Sequence, residues 1–170
     1  MSSHDRPGGF HHVAYACRDI DATHHFYQDL MGMPLIHTEI KEHQGGFLRH
    51  IFYDTGDGSC LAFFDLHGVG EREGWSSAVS TGNQLPVWVN HVAFSSDAAR
   101  QEDVKARMAA EGIEPYMEVD HGWCISCYYV DPNGILVELC RVTSGFAAEP
   151  ERAAGLLHST EPTDVTVPVR

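Results

Sequence analysis

The sequence predicts an α+β domain built from two copies of one strand–helix–strand–strand–strand unit. The segment FHHVAY aligns with VNHVAF, which places His12 on His91 at a separation of 91 − 12 = 79 positions. In both copies the opening strand continues into an aspartate-led helix, and three further stretches with strand-like patterning follow. The chain has 170 residues, of which 43% are hydrophobic, so the two copies can share one core.

The first copy is predicted at residues 10–66, after a loose lead-in at residues 1–9. Apolar side chains alternate in its first strand, and the larger side chains of its helix recur at helical spacing until Gly32 and Pro34. The turn sequences EHQGG and TGDGS then separate three strands, which we expect to pair in antiparallel fashion. The five elements are expected at residues 10–17, 20–31, 35–40, 47–54 and 60–66.

The second copy is predicted at residues 87–142, and a Gly- and Ser-rich connector at residues 67–86 joins it to the first. Its last two strands are linked by DPNG, which is a turn sequence. Residues 143–170 are expected to be a C-terminal extension with a short helix at 149–157, and we assign this extension no chemistry. The elements of the second copy are expected at residues 87–94, 97–111, 114–119, 123–130 and 135–142.

Charge and composition argue against several classes of partner. Lys and Arg total 11 and Asp and Glu total 24, so the net charge of 11 − 24 = −13 would repel nucleic acid and anionic membranes. The start, MSSHDRPGGF, lacks the features of a signal peptide, and no stretch reads as a membrane span, so a cytoplasmic protein is expected. The cysteines fit small buried side chains in a reducing compartment better than a disulfide framework; they are Cys17, Cys60, Cys124, Cys127 and Cys140.

The doubled unit, with HVAY and HVAF opening its halves and DPNGILVEL near its end, resembles the vicinal oxygen chelate superfamily over residues 10–142. Members of this superfamily include glyoxalase I, bleomycin and fosfomycin resistance proteins, methylmalonyl-CoA epimerase and extradiol ring-cleaving dioxygenases. The resemblance implies two βαβββ modules that form one curved, cup-shaped mixed sheet with helices outside and a divalent metal inside. It also implies a homo-oligomer, expected to be a dimer, that binds a small-molecule substrate.

Three residues are candidate metal ligands. His12 and His91 occupy equivalent positions, each on the strand face that carries small alanines. Glu138 lies between two apolar residues of a strand with no nearby lysine, where burial of a carboxylate is costly unless a cation binds it. A single strand histidine is more often structural, but two imidazoles and a carboxylate form the ligand set of non-haem iron oxygenases. Fe(II) is therefore expected, although Mn(II), Zn(II) or Ni(II) could occupy the same ligands.

The stretch from His121 to Glu138, HGWCISCYYVDPNGILVE, resembles the signature of extradiol dioxygenases, with Cys127 as its one departure. The resemblance implies that His121 hydrogen-bonds the substrate or oxygen and that Tyr128 contacts a catecholate hydroxyl. The alternatives are that His121 is a turn residue and that Tyr128 only packs in its strand. Cys124 and Cys127 form a C-x-x-C, but residues three apart on a strand point to opposite faces, so we do not expect them to bind zinc together.

Two departures from related enzymes bear on the reaction. Ala62 aligns with Glu138 across the repeat, so the fourth, acidic ligand of glyoxalase I and the epimerase is missing. The approach to His91 also lacks the histidine that two-domain extradiol enzymes use toward oxygen intermediates. His50 could face the cup and take over this acid/base role, and Arg49 could bind a substrate carboxylate, although neighbouring strand residues cannot share a face. His67 is a weaker candidate for the proton transfer.

The sequence therefore predicts a small extradiol-type dioxygenase that cleaves a catecholic substrate with O₂ beside its two hydroxyls. One alternative is another metal-dependent enzyme of the superfamily, such as a glyoxalase-like lyase or isomerase or a thiol transferase. A second alternative, from a different class, is a bleomycin-resistance-like protein that sequesters a ligand without needing a metal.

Overall fold

The computed structural model describes residues 9–144, 146–163 and 167–168. The predicted lead-in at residues 1–9 lies outside the described residues except for its last glycine. Among the helices of these ranges, none has both the length and the apolar character needed to cross a membrane. The α+β fold with tandem βαβββ modules is confirmed, and its strands are hydrogen-bonded into two sheets, one for each module.

The first module contains the five elements that the sequence predicts, with slightly different bounds. They are β1 (His12–Cys17), α1 (Ile20–His24, continued by a π-helical turn at His25–Leu30), β2 (Leu35–His43), β3 (Gly46–Asp54) and β4 (Cys60–His67). The strand order is β1-β4-β3-β2, with β1 parallel to β4 and the other pairs antiparallel. The parallel pair brings the start of the module against its last strand.

The second module repeats this topology and gains a short strand at one edge. After a 3₁₀ turn (Thr81–Asn83), its elements are β5 (His91–Ser95), α2 (Ala98–Ala110), β6 (Met117–Asp120), β7 (Cys124–Val130) and β8 (Leu136–Val142). The C-terminal extension contributes α3 (Pro150–Leu156) and β9 (Val167–Pro168), which pairs with β6. The strand order is therefore β5-β8-β7-β6-β9, with β5 parallel to β8.

Local sequence explains several element boundaries. The Asp19 carboxylate accepts a hydrogen bond from the Ala22 backbone and begins α1, and Asp97 begins α2 in the same way. Gln44 and Gly45 both have positive φ, at 51° and 86°, as the tight turn between β2 and β3 requires. A Cβ atom on Gly46 would lie 2.0 Å from the His67 backbone oxygen, so only glycine fits where β3 meets the end of β4.

The opening strand of the second module is shorter than the sequence predicts. A strand is expected at residues 87–94, but β5 begins at His91 because the preceding residues turn. The Val89 amide donates to the Pro86 carbonyl in this turn, and the Asn90 amide donates to the Ser80 hydroxyl. The strand predicted at residues 114–119 likewise begins only at Met117.

Both modules contribute to one apolar core. The core-facing sides of the two sheets supply buried residues such as Phe63 and Leu139, and the helices supply Leu30 and Met108. The Arg107 guanidinium also donates to the Leu30 backbone oxygen at 2.7 Å, which joins the two helical layers. Since both sheets turn one face toward this shared core, their other faces point away from it.

The DPNG turn between β7 and β8 fastens the second module to the first. The Asp131 carboxylate is buried and accepts hydrogen bonds from the Tyr27 hydroxyl at 2.9 Å and from the Asn133 and Ile135 amides at 2.8 Å. The Asn133 side chain donates to the Thr23 hydroxyl at 3.1 Å. This turn is therefore a structural joint between modules, which explains its four-residue sequence without any catalytic role.

Candidate metal centre

The outward face of the second sheet brings two predicted metal ligands together. Glu138 on β8 is only 6% exposed, and its Oε2 atom lies 3.1 Å from Nε2 of His91 on β5. Parallel pairing sets this distance, because Ala93 of β5 stands opposite Glu138, two residues along from His91. The structure therefore places His91 and Glu138, two of the three predicted ligands, side by side on one face of this sheet.

The orientation of the His91 ring favours a cation at this point. Its Nδ1 atom lies 2.9 Å from the Trp88 carbonyl oxygen, which only accepts, so the hydrogen of the neutral ring must be on Nδ1. The lone pair of Nε2 then faces the Glu138 carboxylate. Two acceptors at this distance attract each other only through a shared cation or an added proton. Two ligands about 2.1 Å from a metal and at right angles would be about 3.0 Å apart, so this pair fits a divalent ion.

Tyr128 and His121 lie beside this pair, as the sequence signature predicts. Tyr128 is directly opposite Glu138 in the β7–β8 ladder, and its hydroxyl lies 3.1 Å from Nε2 of His121. Burial raises the pKa of Tyr128, and the Glu138 charge raises it further, so the phenol keeps its proton and can donate it in a hydrogen bond. His121 occupies the turn before β7, where its amide donates to the Cys124 carbonyl.

Two further residues belong to this site, although the sequence analysis did not identify them. The Ser126 hydroxyl is fully buried and donates to Oε1 of Glu138 at 2.6 Å, which leaves Oε2 for His91 and a metal. The Cys124 thiol lies 3.6 Å from the Ser126 hydroxyl on the same face. The alternation of β7 was the available signal, because residues 124, 126 and 128 must all point to the Glu138 side.

His12 lies on the outward face of the other sheet, apart from His91 and Glu138. Its ring nitrogen is 2.8 Å from that of His11, and its ring lies 5.6 Å from the His50 ring and 5.3 Å from Phe52. Among the described residues, His12 joins no group of three metal-ligating side chains within 4.8 Å of one another. The three predicted ligands are thus split between two sheet faces.

His50 shares the face of His12 and is surrounded by aromatic rings. It stacks on Phe64 at 3.9 Å between ring centroids and lies 4.1 Å from Phe52. Its Nε2 atom is buried and has no hydrogen-bond partner within the described part of the chain. Burial lowers the pKa of His50, and the neighbouring His12 lowers it further, so the ring favours the neutral form that can accept a proton.

Arg49 does not lie near these groups. It projects from the opposite, core-side face of β3, where its guanidinium pairs with the buried Asp65 carboxylate at 2.5 Å. His67 also contacts Asp65, at 2.8 Å, so both residues serve this ion pair. The structure thus places Arg49 and His67 away from the face that carries His12 and His50, and neither is part of the candidate centre.

The C-x-x-C segment behaves as strand geometry requires. Cys127 packs in the shared core, whereas Cys124 faces Glu138, so the two thiols lie on opposite sides of β7. Burial raises the pKa of the Cys127 thiol to about 11. The expectation that these cysteines do not form a joint zinc site is consistent with this arrangement.

Comparison with known proteins identifies related sequences. The family model for the Glyoxalase/Bleomycin resistance protein/Dioxygenase superfamily matches residues 9–139. Biphenyl-2,3-diol 1,2-dioxygenase 2 of Rhodococcus globerulus is 33% identical over 96 residues, which are 53% of this chain and 48% of that protein. The chain thus spans about half the length of this curated relative.

Solved structures of two other kinds share the fold. Lactoylglutathione lyase from Agrobacterium tumefaciens has a TM-score of 0.52 at 23% identity and covers 80% of this chain and 95% of its own. A mutant fosfomycin resistance protein, FosX, from Listeria monocytogenes, complexed with Mn(II) and 1S,2S-dihydroxypropylphosphonic acid, has a TM-score of 0.56 at 19% identity. That match covers 88% of this chain and 99% of the FosX chain.

Proposed function

Because the chain belongs to the glyoxalase/bleomycin resistance protein/dioxygenase superfamily, we propose that it is an extradiol-type ring-cleaving dioxygenase acting on a catecholic small molecule. The observation that carries this proposal is the His121–Tyr128 hydrogen bond directly beside the His91–Glu138 pair. The partial similarity to biphenyl-2,3-diol 1,2-dioxygenase 2 supports the same reaction class. The substrates would be a catechol and O₂.

The proposed metal centre contains His91 and Glu138 of one chain and His12 of a second copy. The outward faces that carry these ligands lie on opposite sides of a shared core, which separates them within one chain. A two-fold dimer that apposes the first sheet of one chain to the second sheet of the other would bring the three together twice. Fe(II) at this centre would lower the pKa of the substrate hydroxyls and bring substrate and O₂ together.

The remaining groups of the chain would bind the substrate and handle its protons. Tyr128 keeps its phenolic hydrogen and can donate a hydrogen bond to a substrate oxygen. His121, whose Nε2 atom lies 3.1 Å from the Tyr128 hydroxyl, would accept a proton from a substrate hydroxyl. His50 would accompany His12 from the second copy, since their rings are 5.6 Å apart. Its neutral ring, with Phe52 and Phe64, would supply a base and an apolar wall for a flat aromatic substrate.

Anaerobic loading with Fe(II), followed by air and a panel of catechols, tests the reaction. We expect oxygen uptake and a yellow ring-fission product, and we expect Glu138→Gln to abolish both because it removes the anionic ligand. Glu73→Gln, at an exposed position in the connector, is the matched control and should behave as wild type. Metal binding without oxygen uptake from any catechol would instead support a lyase, isomerase or transferase. Ligand binding without a metal would support sequestration.

Mixing two inactive variants tests whether the ligands come from two chains. His12→Ala and His91→Ala should each be inactive, but a mixed dimer has one centre with both substitutions and one with neither. Random pairing should therefore restore about a quarter of the wild-type activity. Mixing His91→Ala with Glu138→Gln is the control. It should restore no activity, because each centre takes both of these ligands from one chain and so always lacks one of them. No recovery in the first mixture, with dimers shown to exchange, would contradict a shared centre.

A further inference from the structure

A second set of metal-ligating side chains lies beside the proposed centre. Among the described residues, His121, Cys124 and Glu138 form a group whose ligand atoms all lie within 4.8 Å of one another. Glu138 belongs to both sets, whereas His12 and His91 are outside this one. All three members come from one chain and from a single sheet with its adjoining turn.

The backbone fixes these three side chains on the same side of the second sheet. Cys124 begins β7 and is oriented like Ser126, whose hydroxyl bonds Glu138. His121 is held above them because its amide donates to the Cys124 carbonyl at 2.9 Å. The thiol is 1% exposed and the carboxylate 6%, so both are largely removed from water. A cation would stabilise a buried carboxylate in such surroundings.

The chemistry of the donors differs from that of the proposed iron centre. An imidazole, a thiol and a carboxylate are all ligands of Zn(II), and a thiolate selects softer metals than a set of nitrogen and oxygen ligands does. Tetrahedral ligands of Zn(II) lie about 3.3–3.8 Å apart, so small side-chain rotations from the observed spacing would close the site. The group is therefore close to a zinc-binding geometry.

We propose that His121, Cys124 and Glu138 form a second metal site, which takes Zn(II) and competes with the proposed Fe(II) centre. On binding, the Cys124 thiol gives up its proton to solvent and coordinates as a thiolate. Glu138 cannot serve both metals fully, and His121 must leave the Tyr128 hydroxyl, 3.1 Å away, to coordinate zinc. Zinc at this site would thus take Glu138 from the proposed iron centre and His121 from its role as proton acceptor. The competition rests on the proposed function, whereas zinc binding itself does not.

Cobalt(II) titration of the full-length chain under anaerobic, reducing conditions tests the site directly. A thiolate bound to Co(II) gives a near-ultraviolet charge-transfer band, which we expect in the wild type and in both His12→Ala and His91→Ala. The band should disappear in Cys124→Ala, and Zn(II) affinity should fall at least about tenfold. Cys60→Ala, on the other sheet, and Cys140→Ala, the neighbouring thiol, should both keep the band. Cys124→Ser preserves the size of the side chain and should also lose the band, which separates loss of the thiolate from loss of folding.

The absence of a band in the wild type, or its survival in folded Cys124→Ala, would overturn the proposal. The competition is measured by the thiolate band: excess Fe(II) added after one equivalent of Co(II) should reduce the band in the wild type but not in His91→Ala, which lacks an iron ligand. An equal loss, or none, in both proteins would refute the competition. These readouts do not need turnover, so a failed catechol assay would contradict the proposed dioxygenase while leaving the zinc result intact.

Discussion

The Ser126 hydroxyl shows how a single buried residue can control the candidate centre. Its hydrogen bond occupies Oε1 of Glu138 and directs Oε2 toward His91. Without this bond the carboxylate could rotate about its terminal torsion, which is soft. The Ser126 hydroxyl therefore orients a candidate metal ligand from the strand next to it, as outer hydrogen bonds do in many metal sites.

We expect Ser126→Ala to weaken Fe(II) binding about 10- to 100-fold, because Glu138 loses the group that orients it. Isothermal titration with Fe(II) under anaerobic conditions measures this change. Ser159→Ala, at an exposed position after α3, is the matched control and should keep wild-type affinity. Unchanged affinity in Ser126→Ala would show that the carboxylate is oriented by other contacts.

The repeat and strand alternation predict positions for His91 and Glu138, and the resemblance to the dioxygenase signature implies Tyr128 and His121. The structure places these four side chains close together, while their roles stay predictions. The alternation of β7 places Cys124 and Ser126 on the face of Tyr128, but only the register of β7 against β8 decides which of them reaches Glu138. The separation of His12 was not predictable either, because a repeat aligns equivalent positions but does not say which faces of the two sheets pack together.

The DPNG turn illustrates what one element contributes to the fold. Asp131 and Asn133 bond to residues of the first helix more than 100 positions earlier in the chain. The sequence predicted the turn, since Asp, Pro, Asn and Gly favour it, but these long-range partners depend on tertiary packing. Tertiary structure also explains why β5 begins at His91 and not at the predicted residue 87. The turn in which the Pro86 carbonyl accepts a hydrogen bond overrides the strand propensity of the valines and the tryptophan that follow it.

We expect Asp131→Ala to lower the free energy of unfolding by about 2–4 kcal/mol, because the Tyr27 hydroxyl and two buried amides lose their acceptor. Urea denaturation followed by circular dichroism measures the change. Asp103→Ala, at an exposed position of α2, should change stability by less than about 0.5 kcal/mol. Equal stability of the two variants would show that the turn does not fasten the modules.

At the scale of the whole molecule, five buried thiols and phenols of the described core favour their protonated form. Burial raises the pKa of the Cys17 and Cys127 thiols to about 11 from an ordinary value of 9.0. Burial likewise raises the pKa of Tyr27, Tyr53 and Tyr129 above the ordinary value of 10.0. All five belong to the core that both modules share, so ionisation of any of them would destabilise the folded state of both modules.

We expect the free energy of unfolding to fall as the pH rises above about 9. In that range the thiols and phenols ionise in the unfolded chain while they remain protonated in the core, so the unfolded state binds fewer protons. Each fully shifted group contributes a slope of about 1.4 kcal/mol per pH unit between its unfolded and folded pKa values. Urea denaturation at a series of pH values measures the slope. Cys127→Ala should reduce the slope between pH 9.0 and about 11, and a flat profile would contradict this account.

The bond between Tyr27 and Asp131 also sets an order of events during synthesis. The two residues are 104 positions apart, and a ribosome adding about 5–20 residues per second needs roughly 5–20 s to make that interval. The first module is complete at His67, so for the remaining 131 − 67 = 64 residues, or roughly 3–13 s, it has no second half of its core to pack against. The apolar sheet face and helix of the first module stay exposed to solvent until the DPNG turn has left the ribosome, and we expect chaperones to bind them in this interval.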